Sequence, residues 1–221
     1  MRTVIFDLDG TLVDSSADLI ASANACFEAL GLGLPLDPVA DASTAFRGGR
    51  AMLRLGFGRV HPDWTEVDVE RAFPQLLDFY EAVIDRETRA YPGAVAAVEA
   101  LLAAGYATGI CTNKPERLSE VLLAKLGLRG LFGSLVGADT LSTRKPDPAP
   151  LVEAVRRAGG DPARALLVGD TDTDRKAAAA AAMPCILITF GPEGDAVADL
   201  QPEALLGAYA ELPQVVRGLI G

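Results

Sequence analysis

The stretch that decides the fold is FDLDGTLVDS, residues 6–15, near the start of a chain of 221 residues. It continues the apolar run TVI and so begins as a buried strand, yet it places Asp7 and Asp9 where that strand ends. A buried carboxylate without a partner is costly. Residues two apart in a strand share a face, and Gly10 permits a sharp turn. We therefore expect both acids to converge at the carboxyl end of the strand, where open α/β sheets bind ligands, although a polar turn would explain the same residues.

Short apolar runs alternate with helical patterns along most of the chain. The runs typical of buried strands cover residues 3–8, 106–111, 135–136, 165–168 and 185–189. The helical patterns cover residues 94–104, 116–126, 149–158 and 174–182. This alternation predicts an α/β fold, a Rossmann-like parallel sheet with helices on both faces.

Residues 15–89 interrupt the alternation, because their apolar residues recur at helical spacing and carry little strand signal. The pattern predicts an inserted helical domain, with Ser15 or Ser16 as the N-cap of its first helix. We therefore expect a core domain made of residues 1–14 and 90–221, interrupted by this insert.

The charge of the chain limits its partners. Acidic residues outnumber basic ones by 30 to 20, which gives a formal net charge of −10. No cluster of Lys and Arg supplies the positive face that nucleic acids and anionic membranes require, so we expect neither as a partner. A small anionic substrate would need a local cation, either a side chain or a metal.

The cysteines and the apolar stretches indicate the compartment. Cys26, Cys111 and Cys185 lie far apart and form no CxxC pair, so we expect free, buried thiols. The N-terminus lacks the pattern of a signal peptide, and no apolar stretch is long enough to span a bilayer. The sequence therefore predicts a cytoplasmic protein.

A second acidic cluster lies in GDTDTD, residues 169–174, again directly after an apolar run. It would bring Asp170, Asp172 and Asp174 to the same sheet edge as Asp7. Capping of a helix start would explain one of these acids but hardly all of them. So many carboxylates repel one another unless a cation lies among them. A hard divalent ion is the expected candidate, and Mg²⁺ is typical where phosphate also binds.

Two further strand ends carry groups that complement a phosphate. The segment CTN, residues 111–113, supplies Thr112 and Asn113 as hydrogen-bond donors, and RKPDP, residues 144–148, supplies the compact positive charge of Lys145. Each signal is weak alone, because Thr-Asn is an ordinary turn element and an Arg-Lys pair is usually solvated. Together with the acids, they indicate a phosphate site.

The motifs DLDGT, CTN, RKPDP and GDTDTD, in this order, resemble the haloacid dehalogenase superfamily. More narrowly, FDLDGTLVDSSADL, YPGAVAAVEALLAAG and RKPDPAPLVEA are similar to bacterial phosphoglycolate phosphatases. The likeness covers the sheet portion of the chain, and the helical insert lies where this superfamily has a cap domain. One departure is Ala182, where relatives usually have glycine.

The resemblance implies a Mg²⁺-dependent phosphatase that works through an aspartyl-phosphate. It assigns Asp7 as the nucleophile, Asp9 as the acid and base, and Lys145 as the positive charge beside the nucleophile. The implied metal ligands are Asp7, the backbone carbonyl of Asp9, Asp170 and Asp174. The implied phosphate-binding residues are Gly10, Thr112 and Asn113.

The insert contains a candidate for substrate recognition in FRGGRAM, residues 46–52. Gly48 and its neighbouring glycine would expose backbone amides between Arg47 and Arg50, whose guanidinium groups suit an anion. The resemblance also puts substrate-specifying residues in this region. A surface turn with two solvated arginines is the alternative.

The expected substrate is a small phosphorylated metabolite, first of all 2-phosphoglycolate, and the expected assembly is a monomer or a homodimer. A β-phosphoglucomutase and a broad sugar-phosphate phosphatase share the core motifs and stay open as alternatives. A dehalogenase is disfavoured, because a departing halide needs no proton from Asp9. A phospho-receiver module would be far shorter, and a silent scaffold would not need every chemical position filled.

Overall fold

The computed structural model describes all 221 residues. The chain forms two compact units, one made of Met1–Val13 and Ala90–Gly221 and the other of Asp14–Arg89. No helix in either unit has both the length and the apolar character needed to cross a membrane.

Strands occur in the following order along the chain: β1 (Thr3–Phe6), β2 (Val13–Asp14), β3 (Arg89–Ala90), β4 (Ala107–Cys111), β5 (Ser134–Val136), β6 (Ala165–Gly169), β7 (Cys185–Ile188) and β8 (Ala204–Leu206). Six of them form a parallel sheet in the order β5-β4-β1-β6-β7-β8, and β2 pairs with β3 in a second, two-stranded sheet. β1 is therefore a central strand, with β4 on one side and β6 on the other.

Helices occur in the following order: α1 (Ser16–Ala29), α2 (Ala42–Phe46), α3 (Gly49–Val60), α4 (Glu66–Val83), α5 (Ala94–Ala103), α6 (Glu116–Lys125), α7 (Ala149–Arg157), α8 (Asp172–Ala180) and α9 (Leu212–Ile220). The first four belong to the inserted unit, and the other five belong to the unit that contains the six-stranded sheet.

The core of the sheet unit explains its apolar sequence. Every residue of β1 is buried, and successive side chains of a strand point to opposite faces, so both faces of the sheet are covered. Ile5 packs with Leu151 of α7 and Ala178 of α8 in one continuous cluster. Strands buried on both faces read as unbroken apolar runs, which is the pattern that predicted them. The α/β fold is confirmed, and the cysteines are free and buried as expected.

The inserted unit is held together by α1. Its Phe27 packs edge-on against Phe57 of α3, and a Cβ added to Gly56 would lie 2.2 Å from the Phe27 ring, so only glycine allows this approach. The buried carboxylate of Asp18 accepts hydrogen bonds from the backbone N–H of Thr88 at 2.9 Å and from its hydroxyl at 2.7 Å. These bonds attach the end of the insert to its first helix.

The structure differs from the sequence-based expectation at several boundaries. β1 ends at Phe6, so the acids that follow it lie beyond the strand. α8 begins at Asp172 instead of residue 174. β8 was not predicted, because a strand of three residues at the sheet edge with an exposed side chain gives almost no periodic signal. Ser15 is the N-cap of α1, but its side chain makes no capping hydrogen bond.

Ala182 adopts a left-handed backbone conformation, with φ 53°, after the end of α8. This conformation costs an L-residue roughly 1–2 kcal/mol, and glycine removes that strain. Glycine also increases the entropy of the unfolded chain, which lowers stability by about 0.4–1 kcal/mol. We therefore expect Ala182→Gly to raise the free energy of unfolding by up to about 1 kcal/mol in urea denaturation. The matched control is Ala181→Gly, whose φ of −85° suits alanine and which should be destabilising. Equal effects of the two substitutions would contradict the assignment of strain to Ala182.

Candidate active site

The register of the parallel sheet brings distant parts of the chain to one edge. Phe6 at the end of β1 lies level with Ile110 in β4 and Val168 in β6. The chain leaves all three strands in the same direction, so the residues that follow them share that edge. These residues include three of the predicted site residues, Asp7, Thr112 and Asp170.

An acidic cluster lies at this edge. One carboxylate oxygen from each of Asp7, Asp170 and Asp174 falls within 4.8 Å of the others, and all three residues are buried. Asp172 is not part of the cluster, contrary to the expectation from the sequence. It occupies the first position of α8, is exposed, and forms an ion pair with Lys176 one helical turn later. Two acids of one motif, two residues apart, therefore differ in burial: Asp172 is exposed and Asp174 is buried.

Lys145 lies against the acidic cluster. Its ammonium is 2.5 Å from Asp174 Oδ1 and 3.1 Å from Asp7 Oδ1, and its side chain is 1% exposed. Burial alone would lower the pKa of Lys145, but the charges of Asp174 and Asp7 outweigh burial and raise it. The lysine is therefore a permanent cation. The Asn113 side chain donates to the backbone carbonyl of Lys145 at 3.0 Å, so this predicted phosphate ligand orients the lysine segment.

Asp174 has both of its oxygens engaged by the protein. It is the third residue of α8 and forms a capping box with Thr171, whose hydroxyl donates to Asp174 Oδ2 at 2.6 Å and whose N–H donates to it at 3.1 Å. Its other oxygen, Oδ1, accepts a hydrogen bond from the Lys145 ammonium. Asp174 is one of the metal ligands expected from the sequence, and these contacts show that it also holds Lys145 in place.

Asp7 and Asp170 each keep one oxygen for a further ligand. Asp7 Oδ1 accepts from the Leu8 N–H at 2.7 Å, and Asp170 Oδ1 accepts from the Thr11 hydroxyl at 2.7 Å. Burial raises the pKa of Asp7 to about 6, with Asp174 adding to the effect and Lys145 opposing it. Burial also raises the pKa of Asp170 well above its ordinary value, reinforced by Asp174 and Asp7. The cluster thus holds more negative charge than one lysine offsets, and its hard oxygen donors fit a divalent cation.

Asp9 lies outside the acidic cluster and is bound by a lysine that sequence reasoning missed. Lys114 Nζ donates to both carboxylate oxygens of Asp9, at 2.9 and 2.8 Å. The Lys114 side chain is 4% exposed and the Asp9 side chain is 15% exposed. The only sequence signal was the lysine of CTNKP, directly after the predicted Thr112 and Asn113. Thr112 is buried, and its hydroxyl accepts from the Lys114 N–H at 3.2 Å.

The turn that follows Asp9 depends on Gly10 and is held by hydrogen bonds of Thr11. Gly10 has φ 81° and donates its N–H to the Val13 carbonyl at 2.9 Å, so it forms the turn. The Thr11 carbonyl accepts from the Tyr209 hydroxyl at 2.7 Å. Thr11 therefore contacts both Tyr209 and Asp170, and neither Thr11 nor Tyr209 was singled out from the sequence.

The predicted anion-binding segment of the insert runs from the end of α2 into the start of α3. Gly48 has φ 94° and directly precedes α3, and Arg50 lies in the first turn of that helix. The Arg50 guanidinium forms two hydrogen bonds with Glu70, at 2.6 and 2.8 Å, and lies 3.7 Å from the centre of the Phe73 ring. Arg50 is thus already bound by an anion of its own unit. Arg47 lies at the C-terminal end of α2.

A family model described as haloacid dehalogenase-like hydrolase matches residues 1–182. The chain belongs to the haloacid dehalogenase-like hydrolases. It is 37% identical over 208 residues to a phosphoglycolate phosphatase of Agrobacterium fabrum, covering 94% of this chain and 89% of that one. It is also 37% identical to a phosphoglycolate phosphatase of Mesorhizobium japonicum, covering 95% and 92%. The crystal structure of a predicted phosphoglycolate phosphatase from Haemophilus somnus superposes with a TM-score of 0.86 at 26% identity over 97% of each chain.

Gly169, at the end of β6, leaves the space that Asp174 occupies in this hydrolase. A Cβ added there would lie 2.5 Å from both Cβ and Cγ of Asp174, so Gly169→Ala must displace the side chain that holds Lys145. We expect the variant to lose about 1–3 kcal/mol of unfolding free energy in urea, the usual cost of overpacking. Gly218→Ala is the control, because Gly218 lies in α9 with no atom within 4 Å of the added Cβ. A Gly169→Ala protein as stable as wild type would contradict this steric account.

Proposed function

We propose that this haloacid dehalogenase-like hydrolase is a Mg²⁺-dependent phosphatase that hydrolyses a small phosphate monoester, first of all 2-phosphoglycolate, through an aspartyl-phosphate. The observation that carries the proposal is the buried cluster of Asp7, Asp170 and Asp174 against the ammonium of Lys145. The relatives that are named phosphoglycolate phosphatases support this choice of substrate, because they are 37% identical to the chain over nearly its whole length.

Asp7 is the proposed nucleophile. The Leu8 N–H and the Lys145 ammonium both contact its Oδ1, which orients the carboxylate for attack on phosphorus. With a pKa of about 6, the carboxyl is mostly ionised at neutral pH and needs no base. A Mg²⁺ ion held by Asp7 and Asp170 would reduce the repulsion between this anion and the incoming phosphate. Asp174 keeps Lys145 beside the nucleophile, where its charge stabilises the phosphoryl oxygens.

Asp9 is the proposed acid and base. In its protonated form it gives a proton to the leaving alkoxide when the aspartyl-phosphate forms, and the resulting carboxylate takes a proton back from the water that later cleaves this intermediate. Its carboxylate is bound by Lys114 and lies outside the acidic cluster, so the proposed nucleophile and the proposed proton carrier have different lysine partners. The Thr112 hydroxyl is the proposed donor to the phosphoryl group, and Asn113 contributes by orienting Lys145.

The inserted unit is the proposed cap, which excludes water and selects the leaving group. Within it, Arg47 and the backbone around Gly48 are better candidates for contact with a substrate than Arg50, because Arg50 already binds Glu70.

Replacement of the nucleophile tests the mechanism. We expect wild-type protein to release phosphate from 2-phosphoglycolate in Mg²⁺ and to stop when EDTA is added. Asp7→Asn should lower kcat at least about 10³-fold, because loss of a covalent nucleophile removes the whole pathway. Asp172→Asn is the matched control, since Asp172 lies in the GDTDTD motif beside two acids of the cluster but is exposed and outside the cluster. Wild-type turnover by Asp7→Asn, with mass spectrometry excluding deamidation, would remove Asp7 from this role.

The role of Asp9 is tested with leaving groups of different basicity. Asp9→Asn should lower kcat/KM for ethyl phosphate by about 10²–10⁴-fold, because ethoxide needs a proton as it leaves. The loss should be much smaller for p-nitrophenyl phosphate, whose leaving group is stable as an anion. Since kcat/KM reports the steps up to formation of the phosphoenzyme, slow hydrolysis of that intermediate does not obscure the comparison. Equal losses on both esters would argue against proton transfer by Asp9.

A further inference from the structure

Two buried lysines lie at the catalytic edge of the sheet, and they contact different acids. The Lys145 ammonium contacts Asp7 and Asp174, on the side of the nucleophile and the metal site. The Lys114 ammonium contacts both oxygens of Asp9. In the proposed reaction Asp9 faces the leaving group, so Lys114 is the cation on the leaving-group side.

The fold holds Lys114 in place. Its backbone N–H donates to the Thr112 hydroxyl at 3.2 Å, and its carbonyl accepts from the Ala138 N–H at 2.9 Å. Only 4% of its side chain is exposed, in contrast to a solvated surface lysine such as Lys176, whose side chain is 64% exposed. Because a buried ammonium is costly without an anion, the position of Lys114 favours an anionic partner at this point of the site throughout the reaction.

The geometry of a phosphorylated 2-hydroxy acid matches this arrangement. Its carboxylate is attached to the carbon atom that carries the leaving oxygen. A group that protonates this oxygen lies within about 2.6–3.2 Å of it. The Lys114 ammonium lies 2.8 and 2.9 Å from the oxygens of Asp9, so it is about two hydrogen-bond lengths from the leaving oxygen. A carboxylate one carbon away from that oxygen is within reach of the ammonium.

We propose that Lys114 binds the carboxylate of the substrate and so selects phosphorylated 2-hydroxy acids over alkyl phosphates that lack a carboxylate. This inference rests on the proposed phosphatase function. The substrate carboxylate takes over from Asp9 as a partner of the ammonium, while Asp9 turns towards the leaving oxygen. The exchange keeps the buried cation paired, and it offsets the repulsion that a chain of net charge −10 exerts on an anionic substrate.

The test compares two substrates that differ in the carboxylate, 2-phosphoglycolate and ethyl phosphate. In Lys114→Met, kcat/KM for 2-phosphoglycolate should fall about 10- to 100-fold more than kcat/KM for ethyl phosphate, the range of a hydrogen bond to a charged group. Lys176→Met is the matched control, because it removes the same charge from an exposed site and should leave the ratio unchanged. Lys114→Arg keeps the charge and should retain more of the preference than Lys114→Met.

Each outcome decides the matter. Equal losses on both substrates would show that Lys114 only positions Asp9, and an unchanged ratio without loss would show that it has no role; either result overturns the inference. If Lys114→Met does not fold, Lys114→Arg must shift the ratio by itself, because the larger guanidinium cannot occupy the same position. Wild-type protein that hydrolyses ethyl phosphate without preferring 2-phosphoglycolate contradicts only this inference. Wild-type protein that hydrolyses no phosphate ester contradicts the proposed function instead.

Discussion

The ion pair between Lys145 and Asp174 is the contact on which the rest of the site depends. Both side chains are almost fully buried, so each charge would be prohibitively costly without the other. Asp174 is itself fixed by the capping box at the start of α8 and by the space that Gly169 leaves at the end of β6. The ammonium that this arrangement holds is what allows the Asp7 carboxylate to be buried beside a second and a third carboxylate. Secondary structure, packing and electrostatics thus converge on one contact.

The parallel sheet explains why the site could be predicted from separate motifs. The apolar run before Asp7 and the apolar run before Asp170 become neighbouring strands, and their register brings the two acids together. No local sequence signal shows that these strands are neighbours. Their acids were expected at one sheet edge because ligands bind at the carboxyl ends of the strands in α/β sheets, and because the motifs resemble a known superfamily. The proximity of Asp7 and Asp170 was therefore predicted from the sequence and is found in the structure. The α/β fold was predicted for the same reason.

Contacts made by ordinary residues over long separations could not be predicted. The Tyr209 hydroxyl and the Thr11 carbonyl are 198 positions apart, and a tyrosine near the end of the chain carries no motif. Other cases depended on where a helix begins, because residues two apart in the first turn of a helix can differ completely in burial. Asp172 and Asp174 illustrate this, because the first is exposed and the second is buried in the same turn of α8. The sequence left open whether Arg50 binds an anion or lies solvated in a surface turn. α3 begins at the second glycine of FRGGRAM, and Arg50 lies in its first turn, bound to Glu70.

The pair of acids in FDLDGTLVDS is explained by the place where β1 stops. Had the strand continued, Asp7 and Asp9 would share a face, and both carboxylates would enter the acidic cluster. The strand ends at Phe6 and Gly10 turns the chain, so Asp7 contacts Lys145 while Asp9 contacts Lys114. Two identical side chains two residues apart therefore contact different lysines, and only Asp7 belongs to the acidic cluster. The proposed mechanism needs this separation, because a carboxylate that bound a metal ion would be less able to exchange protons with a leaving group.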